Sequence, residues 1–487
     1  MMTLNKFLLT VACIASSIRL CAQKPNLIVF QTDEHNFRTL GCYRNQLPKD
    51  QAFIWGEGVE VTTPNIDRLA NEGAICNNFY ASSPVCTPSR ASLMSGLYPI
   101  ATGSPSNNLP MKDEVVTFAK VLQQAGYATS YLGKWHLDGD AKPGFAPERN
   151  FGFEDNRFMF NRGHWKGLTD DDNGNPMLLG TFNPRTQNAK LNVSTTDTTT
   201  FTTDYLTNKA LEILARDKDQ PFCMMVSYPD PHTPNLVRPP YDTMFDHLYF
   251  EKPKSMQFPR EKMPKWVSFN KEEVKEYEQK KMQQYFGMVK CIDDNIGRVL
   301  DFLDKEGLSE NTLVVFTSDH GDLMGEHRRH NKGNPYEASA KIPFLIRYPK
   351  KIAPAKVINK AFTTVDFAPT ILSLMGANAI PEAHGQDASQ DFLSKEKTVT
   401  NDRIAYFTGS SGNWATAVTH RYKYVLSVDD APWLFDLSKD PDELMNFYGD
   451  PLYAGIVGEM HQELLKQMKM YNDPGLHKKR KFNLGSH

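Results

Sequence analysis

The chain has 487 residues and nearly balanced charge, with 55 Lys and Arg against 57 Asp and Glu and a formal net charge of −2. Hydrophobic residues make up 40 % and charged residues 23 %, which excludes an intrinsically disordered chain, a collagen-like repeat and a polytopic membrane protein. The balanced charge gives no reason to expect a nucleic acid or an anionic membrane as a partner. The length predicts one large domain with a smaller second one.

The N-terminus has the pattern of a targeting segment. One positive charge precedes Phe7–Ile18, an apolar stretch of signal-peptide length that is too short to span a bilayer. We therefore expect residues 1–22 to be a signal peptide, and the mature chain to be exported to the periplasm or outside the cell. Five cysteines remain after this segment, at spacings typical of neither a disulfide framework nor a zinc site.

Strand-like and helix-like patterns alternate along most of the chain. Short apolar runs typical of buried strands are Asn26–Gln31, Tyr127–Leu132, Phe222–Tyr228 and Thr312–Thr317. A helical pattern covers Val115–Ala125, and apolar residues at spacings of three and four from Tyr285 to Leu303 predict a long helix that ends at Gly307. This alternation predicts an α/β fold built on a parallel, doubly wound sheet.

The rest of the chain divides into two long loops and a distinct C-terminal part. Asp138–Asp204 and Pro229–Phe269 are predicted as long loops over the sheet, and such loops usually shape a binding site. Beyond about Asp387, short predicted strands are followed by a helix over Gly455–Met470. The strands are Tyr406–Phe407, Trp414–Val418, Tyr422–Leu426 and Trp433–Phe435. We expect a main domain at 23–395 and an α+β subdomain at 396–487 with a short antiparallel sheet.

Residues with catalytic or metal-binding chemistry follow each of the four predicted strands of the main domain. In chain order they are Asp33 and Glu34, Lys134 and His136, His232, and Asp319 and His320. Because the carboxyl ends of parallel strands meet at one edge of an open sheet, we expect these side chains to lie together. The three carboxylates favour Ca²⁺ or Mg²⁺, while His320 leaves Mn²⁺ and Zn²⁺ open. With Lys332, the lysines and histidines beside a metal predict a receptor for a tetrahedral oxyanion.

Cys86 is the candidate nucleophile. It directly precedes Thr87 and Pro88, which predict an N-cap and the first turn of a helix. A helix N-terminus favours negative charge, and Arg90 lies on the same helix face, so a thiolate of low pKa is one interpretation. A small buried structural cysteine is the alternative.

The segment around Cys86 resembles the signature of a known enzyme family. Cys86-Thr87-Pro88-Ser89-Arg90, followed by Leu97-Tyr98-Pro99, is similar to the C-x-P-x-R motif of type I, formylglycine-dependent sulfatases of the alkaline phosphatase superfamily. Five further segments occur in the family's order: Thr63–Ala70, Gly133–His136, Ser318–Gly321, Val365–Thr370 and Leu434–Leu437. The resemblance implies a sulfuric ester hydrolase. It also implies a large mixed, mostly parallel sheet flanked by helices, with a smaller C-terminal α+β subdomain.

The resemblance also implies a cofactor and a role for each site residue. A maturation enzyme would oxidise Cys86 to formylglycine (3-oxoalanine), whose hydrate attacks sulfur through one hydroxyl and releases sulfate through the other. Residues implied to hold the formylglycine and the sulfate are Arg90, Lys134 and Lys332. His136 would assist the nucleophile, and His232 would protonate the leaving oxygen. The implied ligands of one divalent metal ion, with Ca²⁺ favoured and Mg²⁺ or Mn²⁺ left open, are Asp33, Glu34, Asp319 and His320.

Two positions depart from the commonest family pattern. Many members have Asp at the position of Glu34 and Asn at the position of His320. The Asp-His pair of Asp319 and His320 also occurs in relatives that hydrolyse phosphate diesters or phosphonates, so a phosphodiester or phosphonate monoester hydrolase is an alternative. A hypothesis of another class is a catalytically inactive protein that binds sulfated glycans.

The expected substrate is a sulfated carbohydrate: a glycosaminoglycan, a mucin-type glycan or an algal polysaccharide. Its predicted contacts fall in three parts of the chain, and aromatic or cationic side chains are the common feature. They are His327 on the leaving-group side, Arg162, His164 and Trp165 in the first long loop, and Trp414 and Arg421 in the C-terminal part.

Overall fold

The computed structural model describes residues 24–186, 188–267, 273–400, 403–478 and 481–482. The predicted signal peptide lies outside these ranges. Within them, the search for a helix long and apolar enough to cross a membrane finds none.

A nine-stranded sheet forms the centre of the molecule. Its strands in spatial order are Thr398–Val399, Lys356–Ile358, Ala74–Cys76, Phe344–Arg347, Thr312–Ser318, Asn26–Asp33, Phe222–Pro231, Ala128–Lys134 and Met159–Phe160. Phe344–Arg347 runs antiparallel to both its neighbours, and the other pairings are parallel. The predicted α/β class with a large mixed, mostly parallel sheet is confirmed, and each of the four predicted strands forms.

The central strand Asn26–Asp33 is buried along its whole length. Leu27 and Val29 enter one hydrophobic cluster, and Ile28 and Phe30 enter another, because successive side chains of a strand point to opposite faces. A strand covered on both faces reads as a continuous apolar run, which is why the sequence pattern located it.

Three helices cover each face of this sheet. Those that pack with Ile28 and Phe30 are Pro64–Asn71, Thr202–Asp217 and Gln279–Lys305. Those that pack with Leu27 and Val29 are Cys86–Ser95, Phe118–Gln124 and Phe367–Met375. Shorter helices are Gly41–Arg44, Lys49–Ala52, Pro99–Thr102, Lys254–Gln257, Glu337–Ala340 and Ser389–Leu393.

Two predicted helices form, but each has one end a few residues from its predicted position. The long helix stops at Lys305, two residues before Gly307, whose φ of +68° suits glycine after a helix C-terminus. The helix predicted from Val115 starts only at Phe118, because the Thr117 side chain caps it by accepting a hydrogen bond from the Lys120 N–H at 3.1 Å.

The C-terminal part forms a separate four-stranded antiparallel sheet, as expected. Its strands are Ala405–Thr408, Trp414–Val418, Tyr422–Ser427 and Trp433–Asp436. The helix Ala454–Met470 packs on this sheet through Val457, Met460 and Leu464. Thr398–Val399 follows the predicted domain boundary at 395 but pairs at the edge of the large sheet and not with the C-terminal sheet. The boundary itself stays a prediction.

The two predicted loops contain more regular structure than expected. Besides the edge strand Met159–Phe160, the first holds two hairpins, Leu168–Asp170 with Pro176–Leu178 and Thr181–Asn183 with Asn188–Lys190. The strand Phe222–Pro231 extends into the second. The strands within the first loop are two or three residues long, too short for a periodic sequence signal.

Candidate active site

The structure gathers ten predicted residues at the carboxyl ends of four adjacent strands, and we name this group the Cys86 cluster. Its members are Asp33, Glu34, Cys86, Arg90, Lys134, His136, His232, Asp319, His320 and Lys332. Asp33 and Lys134 are the last residues of their strands, and Asp319 follows the last residue of another. Parallel pairing therefore brings together side chains that are far apart in the chain.

Cys86 begins a fully buried helix that runs to Ser95. The expectation that Thr87 caps this helix is wrong: Val85 is the N-cap, and the Thr87 Oγ1 donates to the carbonyl oxygen of His136 at 2.9 Å. The Sγ of Cys86 lies 3.2 Å from His320 Nε2. Burial raises the pKa of the thiol, but Lys134 and Lys332 outweigh this and hold the pKa well below its usual value. Position 86 thus lies in a strongly electropositive environment.

Arg90 ties this helix to the strand ends. Its Nε donates to Asp319 Oδ2 at 2.8 Å, and its Nη1 donates to Ser227 Oγ at 2.7 Å and to the carbonyl oxygen of Lys134 at 2.8 Å. The guanidinium is fully buried, so these charge-assisted bonds act without competition from water. Arg90 therefore fixes the position of Cys86 relative to three strands.

Lys134 and Lys332 contact different members of the cluster. Lys134 Nζ donates to Asp33 Oδ2 and lies 2.8 Å from the Nε2 of His164. Lys332 Nζ lies 2.8 Å from His232 Nε2 and 3.2 Å from Glu34 Oε2. Each ammonium group has three protons, so each retains a donor for an incoming anion.

His136 lies between the helix start and a neighbouring loop. Its Nε2 is 3.0 Å from Asn108 Oδ1, so Nε2 carries the proton and Nδ1 is an acceptor. Among the described residues, Nδ1 has no hydrogen-bond partner. Burial lowers the pKa of His136 to about 4, although Cys86 acts in the opposite direction. A neutral imidazole next to position 86 is suited to accept a proton.

The carboxylates and His320 form a group that fits a divalent cation. Ligand atoms of Asp33, Cys86, Asp319 and His320 all lie within 4.8 Å of one another and are buried. Burial raises the pKa of Glu34, but His232 and Lys332 outweigh it and lower the pKa to about 2, so this carboxylate is ionised. Its Oε1 lacks a hydrogen-bond partner among the described residues. Ionised oxygens with unused acceptor capacity are the donors that a hard cation requires.

Two family models match most of this chain between them. A family model described as Sulfatase matches residues 25–377, and one described as N-sulphoglucosamine sulphohydrolase, C-terminal, matches residues 325–470. The chain belongs to the sulfatase family. It is a type I sulfatase and a sulfuric ester hydrolase.

Individual relatives match along most of their length. The sulfatase is 27 % identical to an N-acetylglucosamine-6-O-sulfatase of Bacteroides thetaiotaomicron, over 93 % of this chain and 87 % of that protein. It is 30 % identical to an ulvan-active sulfatase of Formosa agariphila, over 92 % of this chain and 82 % of that protein. A solved structure of a protein with its substrate D-glucosamine-2-N,6-O-disulfate is similar in fold, with a TM-score of 0.74, 24 % identity, and coverage of 94 % and 100 % of the two chains.

The predicted substrate contacts are engaged in other interactions. His327 is only 2 % exposed and stacks on Tyr336 at 3.4 Å, so the expectation that it meets the leaving group is not supported. Arg162 pairs with Asp140. Arg421 pairs with Asp436, Trp414 is buried against Phe407, and Trp165 is buried and lies beside Lys142. His164 contacts the Cys86 cluster. Substrate binding by these other residues stays a prediction.

Several contacts of the sulfatase site were not predicted from the sequence. His164 was expected only as a sugar or anion contact, yet it touches both Lys134 and His232. Asn107 and Asn108 position Thr87 and His136. Asn107 and Asn108 lie in a loop with no motif or periodicity, so no signal in a single sequence could have located them, and none could have assigned His164 its contacts with Lys134 and His232.

Proposed function

We propose that this sulfatase hydrolyses O-sulfate esters on a carbohydrate. In this proposal the side chain at position 86, converted to formylglycine, is the nucleophile beside one divalent metal ion. The observation that carries the proposal is the surrounding of position 86: a buried helix start flanked by Arg90, Lys134 and Lys332. Three cations around a nucleophile form a receptor for a tetrahedral anion and stabilise the charge that develops during its transfer.

The lysines bind and orient the sulfate group. Lys134 is fixed by Asp33 and His164, and Lys332 by Glu34 and His232. Because each Nζ is already oriented, its remaining proton points without reorganisation at an oxygen of the ester. The low accessibility of both side chains excludes water from this contact.

Position 86 fits the modified side chain. Sγ lies 3.2 Å from His320 Nε2 and 3.9 Å from Asp33 Oδ1, so hydroxyl groups at this point would find hydrogen-bond partners. A formylglycine hydrate supplies one hydroxyl for attack on sulfur and a second for release of sulfate. Cys86 and its helix are buried, so the maturation enzyme that we propose as a partner must reach the motif before the chain folds.

Two histidines handle protons in this scheme. His136 Nδ1 has free acceptor capacity beside position 86 and receives the proton of the attacking hydroxyl. His232 Nδ1 donates to the carbonyl oxygen of Thr233 at 2.8 Å, which directs Nε2 towards the interior of the cluster. For this step Nε2 must also carry a proton; that proton is hydrogen-bonded to Glu34 Oε2, 2.9 Å away, and Lys332 then donates to Glu34 alone. His232 delivers this Nε2 proton to the leaving oxygen of the sugar.

The metal would be held by the carboxylates of Asp33, Glu34 and Asp319 together with His320. A divalent cation there would supply positive charge that polarises the sulfate oxygens. The predominance of hard oxygen donors favours Ca²⁺, with Mg²⁺ or Mn²⁺ as alternatives.

Substrate class and location follow from the relatives and from the N-terminal pattern. Proteins named for N-acetylglucosamine-6-sulfate and ulvan chemistry match most of this chain, which supports a sulfated carbohydrate of glycosaminoglycan, mucin or algal type. The charge and apolar pattern of residues 1–22 supports export to the periplasm or beyond.

The test is turnover by the chain co-expressed with a sulfatase-maturation enzyme. We expect release of 4-nitrophenol from 4-nitrophenyl sulfate, and of inorganic sulfate from at least one member of a panel of sulfated monosaccharides and oligosaccharides. Faster hydrolysis of a 4-nitrophenyl phosphonate monoester would favour the alternative substrate class. Glycan binding without turnover, unchanged in Cys86→Ala, would instead indicate an inactive binding protein.

A further inference from the structure

His164, in the first long loop, contacts two candidate catalytic groups at once. Its Nε2 lies 2.8 Å from Lys134 Nζ, and its ring is parallel to the ring of His232, with centroids 3.5 Å apart and an interplanar angle of 4°. The same Nε2 lies 3.4 Å from Asp33 Oδ2. One side chain thus bridges the group proposed to bind sulfate and the group proposed to protonate the leaving oxygen.

The contact with Lys134 sets the direction of that ammonium group. An ammonium only donates hydrogen bonds, so His164 Nε2 is the acceptor. A second proton of Lys134 goes to Asp33. With two of its three protons fixed, the third has one remaining tetrahedral direction in which to meet a sulfate oxygen.

The contact with His232 restrains the face of a ring whose two nitrogens are held at its edges by polar contacts. Thr233 holds the Nδ1 edge of His232 through its carbonyl oxygen at 2.8 Å. His164 covers one face of the ring. Together they prevent rotation about the bond to the ring, so that Nε2 stays directed towards Lys332 and Glu34.

A buried ion pair anchors the loop that carries His164. Two residues further on, Lys166 Nζ lies 2.5 Å from Asp230 Oδ1 and 3.3 Å from the carbonyl oxygen of His232. Asp230 also accepts a hydrogen bond from Thr203 Oγ1 at 2.8 Å. The loop is therefore fastened to the strand end that precedes His232.

We propose that His164 is a positioning residue with two separable actions. Its Nε2 aims Lys134 at the sulfate, and its ring keeps His232 in the orientation for protonating the leaving oxygen. The inference rests on the proposed function and assigns to that site a residue which acts through others.

Two substitutions separate these actions. His164→Phe retains a flat ring over His232 but removes the acceptor for Lys134. His164→Gln retains an acceptor oxygen but removes the ring. We compare kcat and KM for 4-nitrophenyl sulfate and phenyl sulfate, because the phenoxide of the latter is more basic and depends more on protonation.

The expected result is a crossed pattern. Loss of a partner that orients a catalytic group typically costs about 10–100-fold, so His164→Phe should lower kcat/KM by that factor for both esters. His164→Gln should lower kcat for phenyl sulfate at least about 10-fold while changing 4-nitrophenyl sulfate little. Arg157→Ala, an exposed change in the same loop, is the control and should leave both values unchanged.

The other outcomes overturn the inference. Equal losses in both variants on both esters would indicate a merely structural role, and wild-type rates in both would indicate no role. Thermal unfolding of each variant shows whether a loss reflects a smaller folded fraction. If the wild type itself hydrolyses neither ester, the proposed function fails; if it does and the crossed pattern is absent, only the role of His164 fails.

Discussion

The Cys86 cluster and a second buried cluster of charge differ in how completely their charged groups are paired. The Lys423 cluster consists of Lys423, Glu337 and Glu443 and joins the C-terminal sheet to the segment that follows Lys332. Lys423 Nζ donates to Glu443 at 2.8 Å and to the carbonyl oxygen of Pro335 at 2.9 Å, and it forms an ion pair with Glu337 Oε1 at 2.6 Å. Three oxygens thus surround this ammonium group, one for each of its protons.

The Cys86 cluster is just as buried but keeps unused hydrogen-bonding capacity. Glu34 Oε1, His136 Nδ1 and the neighbouring Gln31 Nε2 have no hydrogen-bond partner among the described residues. Leaving such groups unpaired costs stability, so a cluster that retains them is organised for a ligand and not for the fold. The paired charges of the Lys423 cluster stabilise the fold, whereas the unpaired polar groups of the Cys86 cluster mark the place where a ligand binds.

The largest expected effect is at the nucleophile. Cys86→Ala should lower kcat by about 10⁴-fold or more, because no other group can attack sulfur. Turnover of 4-nitrophenyl sulfate measures it. Cys223→Ala is the matched control, since Cys223 is equally buried but lies within a strand outside the Cys86 cluster. Comparable activity loss in the control would show that burial alone explains the effect.

Replacing one lysine in each cluster tests directly whether the Cys86 cluster serves catalysis and the Lys423 cluster serves stability. Lys332→Met should lower kcat/KM by about 10²–10³-fold, as for other donors to a developing anion, and change stability little. Lys423→Met should instead lower the free energy of unfolding by about 3–5 kcal/mol, because two buried carboxylates lose their counter-charge. Denaturant unfolding and activity per folded molecule measure the two effects. If Lys423→Met lost activity while its stability was unchanged, the distinction between the clusters would be wrong.

Among the residues of the Cys86 cluster, His232 is the one that we expect to protonate the leaving group. His232→Ala should lower kcat for phenyl sulfate by about 10²-fold or more and have a smaller effect on 4-nitrophenyl sulfate. A leaving-group series of aryl sulfates gives the dependence. Equal loss along the whole series would contradict the assignment of His232 as the acid.

We expect metal binding to require the acids of the Cys86 cluster, whereas a buried acid elsewhere should not affect it. Asp319→Asn should weaken retention of the divalent ion at least about 10-fold, as seen for altered metal-site residues. Metal analysis after dialysis measures this. Asp366→Asn, at another buried aspartate that pairs with an arginine, is the control and should retain the metal. Unchanged metal content in Asp319→Asn would exclude Asp319 as a ligand.

The smallest expected effect is the pH dependence of stability that arises from Glu443 in the Lys423 cluster. Burial and the neighbouring Glu337 raise the pKa of Glu443 to about 7, above its value of about 4.3 in an unfolded chain. The folded state therefore binds more protons between these values, and this contribution to stability is lost as pH rises from about 4.3 to 7. In Glu443→Gln the melting temperature should fall less over that interval than in the wild type. Parallel curves for the two proteins would contradict the shift.

The sequence predicted the core of the site because that part rests on a rule of topology. Asp33, Lys134, His232 and Asp319 each follow a continuous apolar run, and parallel pairing forces such positions to one edge. The motif that begins at Cys86 added the helix start, although the true N-cap is Val85 and not Thr87.

What the sequence could not predict depends on the course of loops. His164 and Asn108 reach the Cys86 cluster only through the tertiary path of segments without periodicity. His327 is the opposite case: its nearness to Lys332 in sequence suggested a shared site, but its ring packs against Tyr336. Proximity along an irregular segment does not fix the direction of a side chain.

The central claim is most directly tested by the mass of one tryptic peptide. After co-expression with a maturation enzyme, cleavage at Arg68 and Arg90 yields residues 69–90, which contain both Cys86 and Cys76. The account predicts that Cys86 has exchanged its thiol for an aldehyde while Cys76 remains a thiol. An unmodified thiol at Cys86 in a preparation that hydrolyses sulfate esters would contradict it.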